Sequence, residues 1–312
     1  MRQIANMRKP QNLQKGDSVA IVSTARAISK SEIDFAIQTF ESWGLKVVLG
    51  KTIGAKESQF AGNDSLRTKD FQEMLDNQDV KAIICARGGY GTIRVLEKLD
   101  FTQFMLHPKW IVGYSDVTIL HAHINTYLAV QTIHATMPIN FESNMGDSIE
   151  SLKNALFGKV LNYEFASNFS NKQGTVQGEI VGGNLSILYS ILGTKSGFNP
   201  DYKILFIEDL DEMLYHIDRM VIALKNASKF NKIKALLVGG LSDMRDNTKE
   251  FGFSADNPFG KNAKEIILEH CQELGFPICF DFPAGHLKEN NAIFFGKEAV
   301  LKIEEKSCRL SF

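Results

Sequence analysis

The chain has 312 residues, 44% of them apolar and 23% charged, with a formal net charge of -1. That length exceeds the usual single core of roughly 100 to 200 residues, so two domains are expected, and the balance excludes a largely disordered or fibrous chain. A charge so near neutral gives no electrostatic reason to expect nucleic acid or an anionic membrane surface as a partner.

The opening stretch MRQIANMRKPQNLQKGDSVA has no apolar core of the kind a secretory signal needs, and no apolar run approaches the roughly 18 to 20 residues of a membrane span. The expectation is a soluble cytoplasmic protein. Cys85, Cys271, Cys279 and Cys308 lack paired spacing, and Cys85 and Cys279 lie in apolar runs. Buried thiols are therefore expected, rather than a disulfide frame or a metal site.

Short β-branched runs alternate with amphipathic patterns through the first half, the sequence form of βαβ units and a mostly parallel sheet. Val19 to Val22 is the first strand. Ser29 and Glu32 read as a capping box before a helical face of Ile33, Ala36, Ile37 and Phe40, which Gly44 ends. Leu45 to Leu49 is the next strand, Ser65 the expected cap of a helix carrying Phe71, Met74 and Leu75, and Val80 to Ala86 a fully buried strand. A glycine turn, RGGYGT, follows it. The strand Trp110 to Gly113 runs into GYSDVT, after which Val117, Leu120, Ile124 and Leu128 recur at helical spacing. Asp147 with Glu150 opens a further helix through Leu156.

Polar and glycine residues from 158 to 178 break this rhythm, so the expected division is an N-terminal α/β domain over 1–160, a linker over 161–178 and a C-terminal α/β domain over 179–312. In the second part, GEIVGGNLSILYSILGT reads as a turn into a short helix. KILFIEDLDE reads as a buried strand ending in acids, Met213 to Leu224 as a helix, KALLVGGL as a strand, and Asn262 to Leu274 as a helix. GFPICFDFPAGH is a strand running into a loop.

Ser115 stands at a strand-to-helix corner, where a hydroxyl is exposed at the carboxyl end of a sheet beside unpaired helix amides able to stabilise an oxyanion. The hexapeptide by itself is better read as a helix cap, with Asp116 favourable in the first turn, and Val117 stands where a G-x-S-x-G elbow has glycine. The turn Arg87-Gly88-Gly89-Tyr90-Gly91 leaves the sheet at the same end, where open α/β folds place ligands. It lacks a P-loop ending and fits a dinucleotide fingerprint poorly, which leaves an anion cradle, an amide donor, or a plain turn. Glu208 ends a buried strand, while Asp209, Asp211 and Glu212 are explained as a solvated helix start. His286 follows glycine in a loop, where by itself it reads as a surface histidine. His121 borders an apolar stripe and reads as packed, and His121 and His123, two apart, face about 200° from each other on a helix. With no HExxH and no paired CxxC, a metal hydrolase is disfavoured.

Five blocks in order, RGGYGTIRVLEKLD, IVGYSDVTILH, EIVGGNLSIL, LFIEDLDEMLYHIDRMV and GHLKENNAIFFG, resemble the LD-carboxypeptidase family, which includes the microcin C immunity proteins. The resemblance covers nearly the whole chain. It implies a serine peptidase with an N-terminal α/β domain bearing the nucleophile, Ser115, and a C-terminal domain bearing Glu208 and His286. It further implies an oxyanion hole from the amides of Asp116 and Gly89, with Gly88 as the rival, and no cofactor or metal. Arg87 and Gly88 are the substrate-binding candidates, Arg87 reading either as attracting a substrate carboxylate or as an interior salt bridge. The implied substrate is a small peptide, murein tetrapeptide, losing its terminal D-alanine during cytoplasmic cell-wall recycling. A homodimer is compatible with the reading; nucleic acid and membrane partners are not expected. Phe294-Phe295-Gly296 departs from the family where many members carry proline before the glycine. Two alternatives stand beside this expectation: a microcin C immunity-type amidase acting on aminoacyl-nucleotide conjugates, and a non-catalytic anion-binding module.

Overall fold

A computed structural model describes residues 7–144 and 146–312. These form two compact units, one built from the chain up to Leu161 together with Lys288–Gly296, the other from Asn162–Leu287 and Lys297–Phe312. Both are α/β, as the alternation of short apolar runs and amphipathic helices leads one to expect.

In the first unit the elements run β1 (Ser18–Val22), α1 (Asp34–Ser42), β2 (Lys46–Leu49), α2 (Asp64–Asp76), β3 (Val80–Cys85), α3 (Ile93–Leu96), α4 (Thr102–Leu106), β4 (Trp110–Gly113), α5 (Thr118–His123), β5 (Thr132–His134) and α6 (Gly146–Leu156). The second unit continues with β6 (Asn162–Ala166), β7 (Gly174–Asn184), α7 (Leu185–Ser190), β8 (Ile204–Leu210), α8 (Leu214–Asn226), β9 (Ala235–Ser242), α9 (Ala263–Cys271) and β10 (Ile278–Cys279). Then β11 (Ile293–Phe295) returns to the first unit, and β12 (Glu298–Ile303) and β13 (Ser307–Ser311) close the second.

Among the described residues the first sheet has strand order β11-β5-β4-β3-β1-β2. Every pair is parallel except β5 with β11, where Ile293 faces His134 and Phe295 faces Thr132. Its central strands are buried along nearly their whole length, as sheets covered on both faces require. The second sheet is mixed, in the order β10-β9-β8-β7-β12-β13-β6. Its β7, β8, β9 and β10 pair in parallel, and antiparallel pairing extends from β7 through β12 and β13 to β6.

Several expectations are corrected. The supposed linker over 161–178 contains β6 and the start of β7, because its polar residues alternate with half-buried ones along strands whose outer face is solvated. Residues 288–296 belong to the first unit: β11 supplies its antiparallel edge, and the Asn290 and Ala292 amides donate to Ser148 Oγ and Ser151 Oγ at 2.8 and 2.9 Å. GEIVGGN is strand, not turn. Asn63, not Ser65, caps α2, its side chain accepting from the Leu66 amide at 2.9 Å. The Ser29–Glu32 box forms, with the Ser29 amide donating to Glu32 Oε2 at 2.8 Å, and it opens the 3-10 turn Ser31–Ile33 that leads into α1. Asp209 is buried rather than solvated. No helix among the described residues is long and apolar enough to cross a membrane.

Candidate active site

The site residues fall into two groups, one in each unit. In the first, β3 and β4 are parallel neighbours with Ile84 opposite Val112, so their carboxyl ends lie side by side and release the glycine turn and Ser115 at the same sheet edge. Ser115 opens the 3-10 turn Ser115–Val117 with φ +60°, a left-handed conformation that is costly for a residue with a side chain. Ser115 is the first residue of the turn and not its cap, a position held by Tyr114, while Val117 stands at the cap of α5, and neither makes a side-chain capping bond. Ser115 is thus a half-buried serine held in strain at a strand-to-helix corner, without a capping bond that would explain it.

Gly88 presses against that corner. A Cβ placed on it would lie 2.9 Å from Ser115 Cβ, 3.0 Å from Ser115 Oγ and 3.5 Å from the Asp116 amide nitrogen, so only glycine allows the approach. Gly89 packs under the Arg26 side chain, a Cβ on it falling 2.6 Å from Arg26 Cδ by the same measure. Asp116 points inward and is fully buried, accepting from the Thr92 amide at 2.8 Å. Burial raises its pKa against the opposing hydrogen bonds from Thr92 and the charges of Arg67 and Arg26.

Arg67 is the residue that sequence reasoning missed. Fully buried, it donates from Nη1 to the Thr24 and Gly91 carbonyls at 2.6 and 2.9 Å, from Nε to the Gly62 carbonyl at 3.3 Å, and pairs with Asp64. It thereby ties the glycine turn to the loop after β1. A signal existed: Arg67 shares a helical face with Phe71 and Met74, at spacings of four and seven, where a cation is out of place unless it has partners inside. Arg87 donates to the Ala27 carbonyl at 3.0 Å and stands 4.0 Å from Glu32. His121 is buried, its Nε2–H donating to the Gly113 carbonyl at 2.9 Å beneath the Ser115 corner, and burial holds its pKa down at about 4.

In the second unit Glu208 lies near the carboxyl end of β8, fully buried, and meets His286 Nδ1 through Oε2 at 2.6 Å. The same oxygen accepts the His286 amide at 3.2 Å. Gly285, with φ +100°, makes this possible: a Cβ there would stand 2.7 Å from Glu208 Oε2. The loop is fastened along β9 by the Phe282 amide to the Val238 carbonyl, the Gly240 amide to the Ala284 carbonyl and Ser242 Oγ to the His286 carbonyl. Burial alone would lower the His286 pKa, but the charge and hydrogen bond of Glu208, helped by Asp209, outweigh it and raise the value. Asp209 accepts from Asn184 Nδ2, the Ser186 amide and the Leu210 amide at 2.8 to 2.9 Å. Burial and then the Glu208 charge push its pKa up to about 7.

These two groups, a strained serine with a glycine turn and a buried glutamate holding a histidine, frame the comparison with known proteins. Residues 19–135 match the LD-carboxypeptidase N-terminal domain, and residues 177–301 match the LD-carboxypeptidase C-terminal domain. The chain belongs to the LD-carboxypeptidase family. It is 33% identical over 309 residues to a Bacillus subtilis (strain 168) protein named "Probable murein peptide carboxypeptidase", covering 96% of this chain and 93% of that one. It is 27% identical to the Microcin C7 self-immunity protein MccF of Escherichia coli, covering 95% and 93%. The crystal structure of muramoyltetrapeptide carboxypeptidase from Oxalobacter formigenes superposes with a TM-score of 0.83 at 25% identity, over 94% of this chain and 98% of that one. Ser115 lies within the first matched segment of this peptidase family, Glu208 and His286 within the second.

Proposed function

We propose that the protein is a serine-type LD-carboxypeptidase that releases terminal D-alanine from murein tetrapeptide in the cytoplasm, with Ser115 as nucleophile, His286 as general base and Glu208 as its orienting partner. The observation that carries this reading is the buried Glu208 carboxylate gripping His286 Nδ1 at 2.6 Å, which directs Nε2 to the proton transfer. Ser115 Oγ attacks the carbonyl carbon of the L,D-amide bond while His286 takes the hydroxyl proton. The oxyanion gathers hydrogen bonds from the Asp116 amide and the Gly88-Gly89 turn, the closest approach being that of Gly88. Collapse transfers the proton from His286 to the departing amine of D-alanine, and water then cleaves the acyl-enzyme by the same route in reverse.

The B. subtilis and O. formigenes relatives, by their names, act on murein peptides, which supports the substrate. Similarity to MccF supports the second reading, an amidase of aminoacyl-nucleotide conjugates. Incubation with murein tetrapeptide and, in parallel, with an aminoacyl sulfamoyl adenosine separates the two: free D-alanine is expected from the first and negligible cleavage of the second. Ser115→Ala should lower the rate by about 10⁴-fold or more. Equal D-alanine release by that variant removes Ser115 as nucleophile, and an acyl adduct absent from the wild type after treatment with an activated ester favours a non-catalytic module.

A further inference from the structure

The first unit carries a cleft of about 450 Å³ beside the glycine turn, with Arg87 in its lining. Its floor is the paired backbone of residues 26–28 and 54–60, where the Ala27 amide donates to the Gln59 carbonyl and the Gly54 amide to the Ile28 carbonyl, each at 2.8 Å. Its charged lining is Arg26, Lys56 and Arg87 against a single carboxylate, Glu32. That carboxylate is already engaged, accepting the Ser29 amide and hydroxyl at 2.8 Å and standing 4.0 Å from Arg87. Arg87 also spends a donor on the Ala27 carbonyl. Arg26 and Lys56, by contrast, form no close ion pair among the described residues, the nearest acid to bear on Arg26 being the buried Asp116, and both are exposed.

The position of this unmatched charge gives it meaning. The Arg26 side chain lies over Gly89, whose missing Cβ leaves it room, and the adjacent Gly88 is the residue that touches Ser115. A cation therefore stands one residue along the turn from the contact with the reacting hydroxyl. An exopeptidase that removes one C-terminal residue must recognise a free carboxylate close to its nucleophile, and a guanidinium binds carboxylate with two parallel hydrogen bonds. We propose that the cleft walled by Arg26, Lys56 and Arg87 is the subsite for the free C-terminal carboxylate of the leaving residue, with Arg26 the cation that meets it. The inference rests on the carboxypeptidase reading and names the group by which the enzyme tells a chain end from a chain interior.

The test uses the full chain carrying Ser115→Ala, which holds substrate without cleaving it, titrated calorimetrically with murein tetrapeptide and with the same peptide ending in a carboxamide. The carboxylate form should bind about 10- to 100-fold more tightly. Adding Arg26→Gln should abolish that preference by weakening the carboxylate form alone, at an unchanged melting temperature. Lys56→Gln should weaken it by a smaller factor. Equal binding of both peptides by the Ser115→Ala chain, or a preference that survives Arg26→Gln, overturns the subsite. Turnover by the wild type reports separately: a binding preference that depends on Arg26, in a protein that releases no D-alanine, retains the subsite and removes the hydrolase. Release of D-alanine at the wild-type rate by Arg26→Gln does the opposite.

Discussion

At the scale of single residues, two glycines shape the site by what they lack. A methyl on Gly88 would stand 2.9 Å from Ser115 Cβ, closer than such carbons approach, so Gly88→Ala must push the serine or the turn aside. Misplacement of a reacting group by about 1 Å can cost about 100-fold in rate. The expected outcome is a kcat at least that much lower with a melting temperature close to wild type, and an unimpaired kcat would show that the contact does not fix the proposed nucleophile. His286 yields a second test. In its proposed role as base it would work when neutral, and its raised pKa then places the acid limb of activity above the usual 6.5 or so. Glu208→Gln removes the charge that raises it and leaves burial, which lowers it, so the limb in the kcat/KM profile should move to lower pH while the plateau falls. A limb that stays in place would assign it to another group. The same raised pKa makes the pair stabilising below the unfolded value and progressively less so as pH rises through the folded one. Ser115 shows how much of this was readable in the chain. Its address between an apolar run and a helical pattern is visible in sequence; its φ of +60° is not, since backbone strain has no residue signature when the strained residue is not glycine.

At the scale of elements, strands and helices follow from periodicity, while their ends follow from side-chain chemistry that several residues can supply. Trp110–Gly113 is the strand its apolar run indicates. The sequence leaves the start of α2 open because Asn63, Asp64 and Ser65 are all good capping types, and which one caps depends on the backbone angles at the corner. Asn63 takes the role with extended ψ and a 2.9 Å bond from the Leu66 amide. Asn63→Ala should therefore cost about 1 kcal/mol in urea unfolding, and Ser65→Ala, at an exposed first-turn position, under about 0.5 kcal/mol. The reverse ranking would restore Ser65 as the cap. The segment over 161–178 has the sequence of a linker for a related reason. In β6 exposed and half-buried residues alternate, and among the described residues the strand pairs only with β13, so it lies at the edge of its sheet and lacks the apolar run that marks β3 or β8.

At the scale of the whole molecule, the chain leaves the first unit after Leu161 and returns for only nine residues, Lys288–Gly296. No local pattern announces that return, because β11 is three residues long and its pairing with β5 bridges about half the sequence. Its weight is nonetheless large. Phe294 packs its ring 5.5 Å from that of Trp110, and Phe295 lies 5.3 Å from His121 and 5.5 Å from His134, all of them buried. Burying an aromatic side chain contributes about 1.5 to 3 kcal/mol, so two of them supply a substantial part of the roughly 5 to 15 kcal/mol that holds a domain folded. Phe295 also covers His121, which donates to the Gly113 carbonyl just ahead of Ser115. A fragment ending at Leu161 should consequently expose the Trp110 face and unfold without a cooperative transition in denaturant, followed by tryptophan fluorescence. Appending residues 288–296 to that fragment through a flexible linker should restore a sharp transition, since the pairs Ile293–His134 and Phe295–Thr132 and the bonds to Ser148 and Ser151 all re-form within one unit. Identical cooperative unfolding of the two fragments would mean that β1 to β5 hold themselves together, and that the returning strand decorates the unit instead of completing it.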